Sequence, residues 1–107
     1  MSKAEFWQRG ESIDYANTTN KKIEANEIIP FGSRIAVAGT DIAPGETGSA
    51  FVFGVFEMPK DDAAIGAGAD VYYKDGAITA TKNDSVVGYA IQAADATAET
   101  VKVKLLG

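Results

Sequence analysis

With no histidine and no cysteine among its 107 residues, this chain must do any chemistry with carboxylates, hydroxyls and amines. The usual general base near neutral pH and the commonest zinc ligand are therefore missing, and no thiolate can bind a metal. Fifteen acids allow many carboxylate pairs for glycoside hydrolysis, but no motif selects one. Asp61-Asp62 could bind a cation, yet hard cations need several oxygens from a spaced loop, and no D-x-[DN]-x-[DN]-G occurs. Serine nucleophiles have no histidine partner, and no motif surrounds a Ser-Lys pair. Gly66-Ala67-Gly68 precedes a strand pattern instead of following one, which is the wrong order for a dinucleotide loop. A nucleotide-triphosphate loop, G-x-x-x-x-G-K-[ST], is not present. The residues thus imply no enzyme, no cofactor and no metal site. Asn17-Thr18-Thr19 and Asn83-Asp84-Ser85 match the glycosylation pattern by chance, since no secretory signal accompanies them.

The aromatic residues have a stronger claim to function. Phe6-Trp7 stands near an end that would otherwise fray; its rings either tuck into the domain's own core or anchor an interface. In Phe51-Val52-Phe53-Gly54-Val55-Phe56, Phe51, Phe53 and Val55 point to one face and Val52, Gly54 and Phe56 to the other. Both faces are apolar, so each needs a cover. A short helix at 61–66, a second sheet or another copy of the chain could supply the outer one. Tyr72 and Tyr73 are strand neighbours, so one faces a core and one a surface. Phe6, Trp7, Phe51, Phe53, Phe56, Tyr72 and Tyr73 are the candidate interface residues.

The elements that must position these residues are strands. The chain is rich in glycine and in short Val, Ile, Phe, Tyr and Thr runs between turn residues, which predicts an all-β small barrel or sandwich. Strand patterns cover 11–17, 21–24 around Ile23, 27–32, 34–39, 51–58, 70–79, 85–93 and 100–106. Ile35 and Val37 share one face, with alanines on the other. Asp75-Gly76 fits a type I′ hairpin turn. Asp61 to Gly66 is the one helical candidate, with two acids at its start and a glycine at its stop. Residues 1–9 read as an extended arm and 10–107 as one β domain, with no strong internal repeat.

The charge, 10 basic against 15 acidic residues for a net of −5, lacks the cationic footprint of nucleic-acid binding. No apolar run approaches membrane-spanning length, and the N-terminus lacks a signal-peptide core. Synthesis in a cytoplasm, with no membrane and no nucleic-acid partner, is the expectation.

Several segments taken in order resemble the DUF2190 family of small tailed-phage proteins. They are Ile28-Ile29-Pro30-Phe31-Gly32 leading to Arg34-Ile35-Ala36-Val37-Ala38, then Thr40 to Gly48, then Gly54-Val55-Phe56-Glu57-Met58-Pro59-Lys60. Gly66 to Tyr73, Val87-Gly88-Tyr89-Ala90 and Val101 to Leu105 complete the match. Members are often labelled recombinases of the RecA/RadA type; the missing phosphate loop and basic surface argue against that label here. The resemblance implies a capsid decoration, or cement, protein on the outer virion surface, made in a bacterial host. Its partners would be the major capsid protein and further copies of itself, with a trimer favoured over a dimer by analogy. A reading of another class is a small β module that binds a ligand such as a cell-surface glycan through exposed aromatics, Trp7, Tyr72 or Tyr73.

Overall fold

A computed structural model describes residues 2–6, 10–83 and 85–106. Nine strands are formed among them: β1 (Ser12–Ala16), β2 (Ile28–Phe31), β3 (Arg34–Ala38), β4 (Thr47–Phe51), β5 (Phe53–Pro59), β6 (Asp70–Lys74), β7 (Ala77–Thr79), β8 (Gly88–Ala90) and β9 (Thr100–Leu106). They build a four-stranded sheet in the order β1-β4-β3-β2 and a five-stranded sheet in the order β5-β9-β8-β6-β7. Every pairing of named strands is antiparallel.

The expected all-β class is found, but the helix at 61–66 is not. Its acids serve a turn instead: the Asp61 carboxylate accepts the Ala63 N–H at 3.2 Å. Two residues on, Ile65 is already paired with Ala94 through reciprocal backbone bonds of 2.8 Å. Too few residues remain for a helix to repay its nucleation. The run at 51–58 is also two strands rather than one. β4 ends at Phe51, β5 starts at Phe53, and the chain changes sheets at the buried Val52. The expected strand at 21–24 shrinks to an isolated bridge between Ile23 and Ile42, and the pattern at 85–93 to a three-residue strand. The hairpin turn is as expected, with Asp75 and Gly76 at φ of 51° and 85° between Lys74 and Ala77.

Strand β3 is apolar on both sides because it separates two cores. Ile35 and Val37 pack with Met58, Val71, Val103 and Leu105 of the five-stranded sheet. Ala36 and Ala38, on the reverse side, join Ile29, Ala50 and Val52 in a second cluster. The small alanines let the backbone of the four-stranded sheet lie close beneath Ile13, Tyr15, Ile23 and Phe31, which stay half-buried.

The two sheets follow one plan. Without β7, the order β5-β9-β8-β6 repeats β1-β4-β3-β2. The connecting hydrogen bonds repeat as well. Asn26 donates to the Ala38 carbonyl (2.8 Å) and Ala38 to that of Glu27 (2.9 Å); Gly68 donates to Ala90 (2.7 Å) and Ala90 to Ala69 (3.0 Å). The reciprocal Ile23–Ile42 pair recurs as Ile65–Ala94, and the Gly39-to-Ser49 bond as Ile91-to-Lys102. Asn26 and Gly68 share the left-handed backbone, at φ of 76° and 80°. Residues 11–51 and 53–106 are thus two copies of a four-stranded unit, the second carrying β7 as an insertion between β6 and β8. Side chains hide this repeat: Ile23 to Ile28 and Ile65 to Asp70 share only an isoleucine and an alanine.

One buried polar side chain closes the same corner of each unit. Asn17 donates its amide to the carbonyls of Lys21 (2.8 Å) and Ile42 (2.9 Å) and accepts from the Thr19 N–H (3.0 Å) and hydroxyl (2.6 Å). Its side chain is 1% exposed, so the glycosylation match there is filled by the protein's own loop. Lys60 takes the corresponding place, since Asn17 N–H bonds Glu46 as Lys60 N–H bonds Glu99. Its ammonium donates to three carbonyls, of Asp61 (2.8 Å), Asp95 (3.0 Å) and Ala98 (3.2 Å). A buried cation is tolerated when its donors are all used, as here.

Candidate interaction surface

Alternation along β5 and β9 sends Met58, Val101, Val103 and Leu105 into the core. The intervening residues must then face outward. Phe53, Val55 and Glu57 stand directly opposite Leu106, Lys104 and Lys102 on that outer face. Tyr89 of β8 lies across from Lys104, and Asp70 of β6 across from Tyr89. Ile91 continues the row through its bond to Lys102. The result is a sheet face with an apolar stripe: Phe53 is 46% exposed, Val55 50%, Leu106 47% and Ile91 39%. The Lys104 ammonium sits 4.3 Å from the Phe53 ring centroid and 5.9 Å from that of Tyr89. At these distances the ammonium is attracted to both rings.

The candidate residues separate accordingly. Phe53 belongs to this face, and Tyr72, half-buried, has the outward parity of Asp70. Phe56 and Tyr73 turn the other way and pack against the larger core. Phe51 lies at the junction of the two units, 40% exposed, with its ring 6.2 Å from that of Phe56. Phe6 is 85% exposed in a segment with no regular secondary structure, and Trp7 lies outside the described residues. Of the three covers considered for Phe51, Phe53 and Val55, the helix does not form and the second sheet packs elsewhere. The sequence reading missed Leu106, Tyr89, Ile91 and Lys104. Leu106 was within reach, since it alternates with Val103 and Leu105 on the same side as Lys102 and Lys104.

Asp61 and Asp75 line one shallow hollow of about 380 Å³ with Lys74, Ala77, Thr79 and Thr81. A glycosidase acid needs a raised pKa. Asp61 has the opposite: the Thr79 hydroxyl, assisted by the Ala63 N–H and Lys60, holds its carboxyl below the ordinary value. Asp95 is lowered likewise, by the Thr97 hydroxyl and by the Ala98 and Thr97 N–H groups. Among the described residues no cluster of three or more potential ligands is arranged for a metal ion.

Comparison with known proteins returned no match among curated proteins and none among solved structures. A family model described as phage cement protein matches residues 7–105, which take in both four-stranded units and the apolar sheet face except Leu106. The chain therefore belongs to the phage cement protein family, the DUF2190-type proteins that decorate bacteriophage capsids.

Proposed function

We propose that this protein binds the outside of an assembled phage head, bridges neighbouring major capsid subunits and catalyses no reaction. The family match along nearly the whole chain carries the reading. The form of the molecule agrees with it: shallow hollows, an exposed apolar sheet face, and an N-terminal segment that presents Phe6 to solvent. In this reading residues 1–9 are the arm that reaches the capsid, 10–107 fold as one β domain, and the protein works as a homo-oligomer, with a trimer favoured over a dimer. Cementing acts through multiplicity, since many modest contacts across capsomer boundaries add up to resistance against internal pressure. The test is co-sedimentation of purified protein with heads of the encoding phage that lack it. Saturable binding, weakened when residues 1–9 are removed, is expected; heads that never saturate would refute the assignment.

A further inference from the structure

The repeat gives the exposed sheet face a specific partner. Within one chain the units pack in tandem. The outer face of the first unit, through Ile35 and Val37, covers the inner face of the second, through Met58, Val71 and Val103. Two faces are then left over. One is the inner face of the first unit, where Ile13, Tyr15, Ile23 and Phe31 remain half-buried above Ala36 and Ala38. The other is the outer face of the second unit, with Phe53, Val55 and Leu106. These are the same two kinds of face that meet inside the chain.

We infer that a second copy of this chain repeats the internal contact, its first unit's inner face receiving the outer face of the second unit. The contact deepens the homo-oligomer part of the proposed function and does not depend on capsid binding. The smaller of the two faces, four strands of four or five residues, has a footprint of roughly 19 by 17 Å, so each face offers on the order of 300 Å² and the pair about 600 Å². That is the size of a weak contact, which gains strength when many copies are held together at high concentration or on a head. The geometry is heterologous: different patches meet, and each copy carries both. Such contacts build rings of three or more where the rotation closes and open filaments where it does not, whereas a two-fold contact would bring like patches together. The sheet curls so that β7 returns to β5, but it meets that strand only at its C-terminal end, where Ile78 bridges Lys60, so the Phe53 stripe at the other end stays open.

Mixing separates these geometries. Phe53→Asp blocks the outer face of the second unit, and Tyr15→Asp blocks the inner face of the first. Alone, each variant should sediment as a monomer under conditions where the parent is a higher oligomer. Mixed, one intact patch of each kind remains, so a one-to-one dimer should form and grow no further. A mixture that stays monomeric while the parent associates, or a parent whose assembly ignores both changes, would overturn the inference. Because the chain has no cysteine, a second readout is independent of these variants. Val55→Cys mixed with Glu27→Cys, which lies on the rim of the first unit's inner face, should join through a short bis-maleimide, in solution or on heads. Either variant with itself should not. Self-coupling of Val55→Cys would indicate a two-fold contact instead. Loss of the mixed product from protein that still saturates heads would refute this contact and leave decoration standing. Mixed coupling without head binding would do the reverse.

Discussion

Asn17→Asp is a nearly isosteric change that turns a buried donor into an acceptor. The amide now gives hydrogen bonds to the Lys21 and Ile42 carbonyls at 2.8 and 2.9 Å. A carboxylate would set an oxygen against both carbonyl oxygens, with 1% exposure and little water to screen it. Losing two bonds costs about 2–3 kcal/mol, and leaving the two acceptors and a buried charge uncompensated raises the total to about 4 kcal/mol at pH 7. For a domain of this size that is a melting point lower by roughly 15 °C. The penalty should depend on pH. Desolvation and the facing carbonyls favour the neutral acid, so the folded-state pKa of the introduced carboxyl lies above the unfolded value of about 3.9. The folded state then binds the extra proton, and the deficit shrinks as pH falls through the raised folded value. Below the unfolded value the protonated carboxyl returns one donor, and roughly half the deficit should disappear. Urea titrations of variant and parent from about pH 7 to about pH 4, a range that spans the raised folded value, give the difference directly. A deficit under about 1 kcal/mol, or one that does not change with pH, would refute the role assigned to Asn17.

Three further outcomes are expected. Lys60→Met keeps the apolar stem but removes the donor from the carbonyls of Asp61, Asp95 and Ala98; relief of the ammonium's desolvation offsets part of the loss, leaving about 3 kcal/mol of destabilisation by denaturant titration. Gly88→Ala should separate β8 from β9, because its methyl would strike the Lys104 carbonyl, whereas Gly66→Ala meets nothing within 4 Å and should be neutral or stabilising by about 0.5 kcal/mol. Acid should loosen the corners around Lys60 first. Asp61 and Asp95 have lowered folded-state values, so their stabilisation is present above the ordinary aspartate range and is lost as pH falls through the folded values. Amide exchange at Ala63 and Ala98, measured against pH by NMR, should show loss of protection there before the β9 core opens.

Much of the fold was legible because strands record their two faces in alternate residues. Ile35 and Val37 against Ala36 and Ala38, and Val101, Val103 and Leu105 against the lysines, are read from parity alone. The Asp75-Gly76 turn is read from the need for positive φ at both positions. The helix failed because Asp at a start signals any turn whose N–H groups need a cap, and only the Ile65–Ala94 pairing, contributed from far along the chain, decides which turn forms. Asn17 looked like the last residue of the 11–17 strand pattern, since the burial of a polar side chain at a strand end is not written into alternation.

By itself the sequence determined the β class, the inward and outward side of most strands, the lack of a histidine- or cysteine-based site, and the family. Alternation, turn chemistry and composition are local, and local properties survive in a one-dimensional string. Only the tertiary structure decided that the phenylalanine-rich run breaks at Val52, that Phe53 and Val55 stay open while Phe56 is covered, and that the chain is one unit used twice. Those outcomes depend on backbone hydrogen bonds and on which sheet packs over which, and side chains that differ between the two units can satisfy the same backbone plan.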